Sequence, residues 1–175
     1  AKVMCSETNW KTCDAALQLH GGMGYLEETR LPLLLRDARI TRIFEGANDI
    51  LRVRVGMAEV AAPSRRPRLP AEVSAIVRER FAAIERYLRE YITLRRETLG
   101  AKLLARQDML HQIGNAAIIV DAAYACAVAS AATERAAALA DFWLMKASDD
   151  TITALRAPRP QAAIDAVIGE DEAFA

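Results

Sequence analysis

The sequence predicts an all-α protein. Three observations point there. Hydrophobic residues make up 53% of the 175 positions and much of that is alanine, whereas aromatics make up only 6%. That balance favours close-packed helices over strands, which draw on β-branched and aromatic side chains. Apolar residues also recur at three- and four-residue steps over long stretches, as in Val73, Ile76, Val77, Phe81, Ile84, Leu88 and Tyr91.

Taken in order, the first element runs to about His20, with apolar positions at Val3, Trp10, Cys13 and Leu17, and stops at Gly21-Gly22. Its opening residues, Ala1 to Glu7, read like the middle of an amphipathic helix with no capping residue before it, so a preceding segment is expected. After Gly24 and the Glu27-Glu28-Thr29 stretch, Leu33 to Ile40 forms a second helix with Arg36, Asp37 and Arg39 on its polar side. Ile40 to Phe44 is a turn or a short extended link that ends at Glu45-Gly46. A third helix opens at Ala47 or Asn48 and continues through Met57.

Residues 63–70 contain three prolines, which neither donate an amide nor let their predecessors enter a helix easily. They mark a linker, with Arg65, Arg66 and Arg68 as a basic cluster, between a unit at 1–62 and a second at 71–175. The second unit is a small bundle: the helix through Tyr91, a further one within Leu103 to Ala132 that carries Leu110, Ile113, Ala117, Val120 and Tyr124 on one stripe, and a third that includes Phe142, Trp143 and Met145. Pro158 and Pro160 end it, followed by a loosely ordered acidic tail at Gly169 to Glu172.

Charge and cysteine content exclude several functions. Basic and acidic residues number 23 each, which gives no electrostatic case for nucleic acid. The cysteines, Cys5, Cys13 and Cys126, lack C-x-x-C spacing and are odd in number, so reduced, buried thiols in an intracellular setting are expected. Only His20 and His111 supply imidazoles, too few for a Cys/His metal cluster, and the metal expectation is none. No apolar run approaches the roughly 20 residues of a bilayer span.

The densest cluster of unusual residues is Gln18 to Tyr25 (Q-L-H-G-G-M-G-Y), followed by Leu35 to Ile40 (L-R-D-A-R-I) and Ile43 to Ile50 (I-F-E-G-A-N-D-I). Taken as bare residues, Gly21-Gly22 is a helix terminator, Glu45 a solvated carboxylate favoured near a helix N-terminus, and Asn48 and Asp49 are helix caps. The glycine run is no dinucleotide fingerprint, since it follows a helix and lacks G-x-G-x-x-G. In order and spacing, however, the three elements resemble the C-terminal helical domain of acyl-CoA dehydrogenases over about the first third of the chain. The added helical unit, with Arg106-Gln107-Asp108-Met109-Leu110 leading into an alanine-rich helix, resembles the very-long-chain branch of that family.

The resemblance implies roles for individual residues. Glu45 is then the base that takes the α-proton of a fatty acyl-CoA thioester, its backbone amide meets the thioester carbonyl, and Gly46 leaves room for the substrate. Gln18, Leu19, His20, Gly21 and Gly22 lie against FAD from a neighbouring subunit, and Ala47, Asn48 and Asp49 touch the same cofactor. Ala47 stands where most members have Thr or Ser, so a hydroxyl contact is lost. Arg36, Asp37 and Arg39 are expected in a surface or intersubunit ion-pair set. The activity implied is dehydrogenation of long-chain acyl-CoA to trans-2-enoyl-CoA in fatty acid β-oxidation, with this chain inactive and not binding FAD tightly without the N-terminal part of the enzyme.

The partners implied are that missing part, the acyl-CoA, a second subunit in a homodimer, and an electron-transfer flavoprotein. A peripheral membrane contact through the basic linker is a further expectation, and the location is cytoplasm or the inner face of a membrane, the mitochondrial matrix side in a eukaryote. The alternative is a non-catalytic helical module for assembly or membrane docking that retains dehydrogenase motifs as ancestry.

Overall fold

The computed structural model describes residues 1–63 and 66–155, and helix is the only regular secondary structure among them. Six α-helices follow in order: α1 (Lys2–Leu19), α2 (Leu31–Ile40), α3 (Asn48–Ala61), α4 (Ala75–Leu99), α5 (Gln107–Ala129) and α6 (Glu134–Leu155). Short 3-10 turns cover Gly21–Tyr25, Glu27–Thr29 and Gly100–Ala105. Arg65, the proline terminators Pro158 and Pro160, and the acidic tail lie outside the described residues.

Each boundary has a local cause. α1 begins without a side-chain cap, as its sequence predicts, and ends where Gly21 turns to φ +57°, a left-handed value that costs glycine little. α2 carries Pro32 in its first turn, where the missing N–H breaks no helical bond. The Ser74 hydroxyl caps α4 by accepting from the amide of Val77, and Thr133 does the same for Ala136 at the start of α6.

α5 is the axis of the fold, with α3, α4 and α6 packed around it. Ile113, Ala116, Ala117, Val120, Ala123 and Ala127 are fully buried along it, together with Leu88, Ile92, Leu144 and Leu155 from its neighbours. α5 holds an 18-residue window of mean hydropathy 1.4, so it is long and apolar enough to cross a membrane, which corrects the expectation that no run approaches that length. Its alanines raise the hydropathy, and helices on several sides account for that apolar surface within the bundle.

The closest contact is between α3 and α5. A Cβ added to Gly114 would sit 1.8 Å from the carbonyl oxygen of Arg52, and one added to Gly56 would sit 1.9 Å from that of Leu110. The two backbones therefore touch, and only glycine fits on either side. Val60 from α3 shares one apolar core with α4, α5 and α6, so the helices on both sides of the linker pack together.

The linker is anchored at both ends. The Arg66 side chain is buried and meets carboxylates from three helices: Glu59 at 3.7 Å, Glu85 at 3.5 Å and Asp121 at 2.8 Å. Arg78 donates to the carbonyls of Leu69, Pro70 and Val73. The expected solvated or surface-seeking role thus fails for Arg66, because its charge is already matched inside the protein.

Two other expectations change, on the cysteines and on the α2 ion-pair set, and the buried face of α6 is now defined. Phe142 and Met145 lie on the exposed side of α6, and its buried face is Ala140, Leu144, Ala147, Thr151 and Leu155. The cysteines are free, but Cys5 is exposed and Cys13 and Cys126 are only half-buried; burial raises the Cys126 thiol above its ordinary pKa. Finally, Arg39 lies over the Trp10 ring at 6.0 Å, while Arg36 pairs with Glu27 at the exposed surface.

Candidate functional site

The Glu45–Gly46 turn joins α2 to α3. Residues 41–46 are too short a link for any second element, and the chain reverses by putting two successive residues at positive φ, Glu45 at 53° and Gly46 at 98°. For glycine this is ordinary. For Glu45 it is a left-handed conformation that costs on the order of 1 kcal/mol and persists only where the surroundings enforce it.

Those surroundings are polar contacts to α1. Lys2 donates from Nζ to the carbonyl of Gly46 at 2.8 Å and to Asn48 Oδ1 at 2.7 Å. The Asn48 amide donates from Nδ2 to Ser6 Oγ at 2.9 Å and to Glu7 Oε1 at 2.8 Å, and its backbone N–H closes the turn onto the carbonyl of Arg42 at 3.0 Å. Asn48 is buried and its bond to Ser6 is shielded from water, those to Lys2 and Glu7 are partly so, and the Lys2 bond to the Gly46 carbonyl is exposed. Its side chain is committed to α1.

Arg52, one turn further along α3, binds three helices at once. It donates to Glu7 Oε1 on α1 at 3.0 Å, to Asp49 Oδ1 on its own helix at 3.0 Å, and to Asn115 Oδ1 on α5 at 3.1 Å. His111 on α5 reaches the same Asp49 oxygen through Nε2 at 3.1 Å. Arg42 lies against the other oxygen of Glu7, its Nε 3.1 Å from Oε2, near enough for ion pairing though not aligned as a hydrogen bond.

The charges respond to this arrangement. Burial raises the pKa of Glu7, but hydrogen bonds from Asn48 and Arg52 and the positive charges of Arg52 and Arg42 together outweigh it and hold the carboxyl below its ordinary value. Asp49 is also held low, chiefly by its hydrogen bond with His111, against a smaller opposing effect of burial, with Arg52 adding to the lowering. Both stay ionised near neutrality. Glu45 differs: its carboxylate is exposed and has no ion-pair or hydrogen-bond partner among the described residues.

The second group, Gln18 to Gly22, forms the end of α1. Gln18, Leu19, His20, Gly21 and Gly22 are all exposed, and His20 Nδ1 lies 2.8 Å from the carbonyl of Ala16. No atom comes within 4 Å of a Cβ built at Gly21 or Gly22, so this backbone is open to an incoming molecule. Gly24 is instead the packing glycine, because a Cβ there would lie 2.4 Å from the carbonyl of Leu17. Both groups hang from opposite ends of α1, Lys2 and Ser6 holding the Glu45 turn and Leu17 holding the glycine turn.

Comparison with known proteins bears on this segment. Residues 1–59 match the family model described as acyl-CoA dehydrogenase, C-terminal domain. The acyl-CoA dehydrogenase resemblance is shown over this segment. Very long-chain specific acyl-CoA dehydrogenase of Mus musculus is 53% identical over 57 residues, which are 33% of this chain and 9% of that protein. The Homo sapiens counterpart is 49% identical over the same length and the same shares. Cyclohex-1-ene-1-carbonyl-CoA dehydrogenase of Geobacter metallireducens is 40% identical over 58 residues, 33% of this chain and 15% of that protein. The aligned part is thus about a tenth of the very long-chain relatives, and α4, α5 and α6 lie beyond the family-model match.

Reading residue types along the chain passes over Lys2, Ser6, Glu7 and Arg52. Polar residues on a helix look like a solvated face, and only the fold brings these four to one point. A usable signal was Gly56 and Gly114, since mid-helix glycine costs about 1 kcal/mol against alanine and asks for a packing reason.

Proposed function

We propose that this chain is the C-terminal part of an FAD-dependent acyl-CoA dehydrogenase in which Glu45 is the base that removes the α-proton of a fatty acyl thioester. The observation that carries this reading is the Glu45 turn itself: a non-glycine residue strained to positive φ, its carboxylate free, with neighbours on both sides of the turn tied down. Arg30 also takes a left-handed φ, at the start of α2, so what sets Glu45 apart is that its carboxylate is unpartnered among the described residues while the turn around it is held from α1. The backbone amides of Glu45 and Gly46 make no hydrogen bond among the described residues, which leaves them able to meet a thioester carbonyl as oxyanion donors.

FAD supplies the acceptor for the hydride that leaves the β-carbon, and the product is a trans-2-enoyl-CoA. The chain's own contribution is the proton: Glu45 accepts it once the rest of the enzyme closes over the turn and strips water from the carboxylate, since an exposed carboxylate is too weak a base for this task. The residues present fit a cofactor at the end of α1, where Gln18 through Gly22 offer exposed backbone with open space above Gly21 and Gly22. Ala47 and Asp49 line the other approach, and Asn48 holds the turn in place.

Incompleteness is part of the proposal. Leu19 is 87% and Tyr25 81% exposed, and Met23, Leu34, Ile40, Ile43, Phe44 and Ile50 are exposed as well. So much bare apolar surface in one segment asks for protein to cover it. In this reading the cover is the remainder of the enzyme and a second subunit, residues 71–175 are an added helical unit beyond the linker, the substrate is a long-chain acyl-CoA of β-oxidation, and electrons pass to an electron-transfer flavoprotein. Peripheral membrane contact, if made, uses Arg68 and not Arg66.

The test is Glu45→Gln in the complete dehydrogenase. Loss of acyl-CoA dehydrogenation with flavin content retained is the expected result, and undiminished turnover removes Glu45 from the mechanism. Ala47, which brings no hydroxyl to the cofactor, is the observation that favours a non-catalytic helical module, and the same variant decides between the two.

A further inference from the structure

We infer that α5, which lies beyond residues 1–59 matched by the family model, positions the Glu45–Gly46 turn through His111 and Asn115. This rests on the reading of Glu45 given above for its catalytic meaning, though not for its structural content.

α3 begins three residues after Glu45, so whatever fixes the start of α3 fixes the turn. Two side chains there, Asp49 and Arg52, are held from α5: His111 Nε2 lies 3.1 Å from Asp49 Oδ1, and Asn115 Oδ1 accepts from Arg52 Nε at 3.1 Å. His111 and Asn115 stand four residues apart, hence on one face of α5, and Gly114 between them is where the Arg52 carbonyl comes to rest. Steric contact and polar contact thus coincide on the same turn of α3.

From Arg52 the chain of contacts continues to Glu7, and from Glu7 through Asn48 and Lys2 to the carbonyl of Gly46. An unbroken series of charge-assisted hydrogen bonds therefore connects α5 to the strained residue pair. Arg52 is the junction: its side chain is only 12% exposed, and its three partners sit on α1, α3 and α5. Without α5 it keeps Glu7 and Asp49 but loses the partner that fixes its direction.

Neither His111 nor Asn115 belongs to the groups assigned to substrate or cofactor, so both are positioning residues. Hydrogen exchange on the full 175-residue chain tests the idea directly, read at the amides of Asn48 and Leu51, which bond to the carbonyls of Arg42 and Ala47. The double variant His111→Ala, Asn115→Ala is expected to speed exchange at both amides by about tenfold, the loss of two hydrogen bonds, while amides in the cores of α4 and α5 keep their protection. His111→Gln, which retains an N–H donor, is expected to stay near the parent rate.

Unchanged exchange at Asn48 and Leu51 overturns the inference, and so does an equal acceleration throughout α4 and α5, which marks a general loss of stability. In the complete dehydrogenase the double variant is expected to lower kcat by about tenfold with KM and flavin content little changed. If Glu45→Gln leaves turnover intact while the exchange result holds, the catalytic reading falls and the positioning stands. If the reverse is found, α5 is only a packing helix.

Discussion

The two ends of this chain bury their apolar residues very differently. In α1, eighteen residues long, only Val3 and Ser6 are buried, and α2 buries Ala38 alone. In α5, twenty-three residues long, nine are buried, from Met109 to Ala127. Composition accounts for part of this, since α5 carries seven alanines in 23 residues and α1 only two in 18. The rest of the difference lies in company: α5 is packed against α3, α4 and α6, whereas α1 has open sides and holds its neighbours mainly through polar contacts around Asn48 and Glu7. A helix with open sides is suited to a further interface, and one that buries nine residues against three neighbours is suited to carry load.

The contrast predicts unequal responses to substitution. The largest belongs to the α3–α5 crossing: Gly114→Leu drives a side chain into the Arg52 carbonyl, and a loss of more than about 4 kcal/mol in urea unfolding is expected. Survival of the native transition would show that the crossing yields easily. Next comes a matched pair of leucines. Leu144→Ala, in the buried face of α6, is expected to cost about 3 kcal/mol, and Leu19→Ser, almost fully exposed on α1, less than about 0.5 kcal/mol. Equal effects would abolish the distinction between the two regions.

The smallest effect is electrostatic and depends on pH. Glu7 has a folded-state pKa below its unfolded value of about 4.3, so the stability it contributes is complete above that value and disappears as pH falls through the folded pKa. Glu7→Gln is therefore expected to cost about 1 kcal/mol at pH 7 and progressively less as pH falls through the folded pKa, measured as the shift in urea midpoint. A cost independent of pH would mean that the carboxylate charge is not what holds α1 to α3.

Much of this was legible along the sequence. Helical periodicity and terminator residues placed α1, α2, α3 and α5 within about four residues, whereas the stripe for α4 was followed only to Tyr91 of a helix that runs to Leu99, and α6 was found without bounds. The Glu45 and Gly21 turns were legible through motif order. What escaped was pairing between distant residues. Arg66 read as part of an exposed basic linker because three carboxylates 7, 19 and 55 residues away are invisible to a local pattern. Asn48 read as a cap, yet its side chain turns back to Ser6 and Glu7, more than forty positions earlier. Phe142, Trp143 and Met145 marked a helix without showing which face it buries, and that face proves to be Ala140, Leu144, Ala147, Thr151 and Leu155, set against α4 and α5.

The backbone contact at Gly56 and Gly114 has a mechanical consequence. With no side chains between them, α3 cannot slide along α5, and the motion left to it is a swivel about that point. Eight residues separate Gly56 from Asn48, a lever of about 12 Å at 1.5 Å per residue. A rotation of only about 5° at the fulcrum moves the far end by about 1 Å, a displacement of the size that costs reacting groups about a hundredfold in rate. Small repacking within the bundle is thus delivered, magnified, at the turn that carries Glu45.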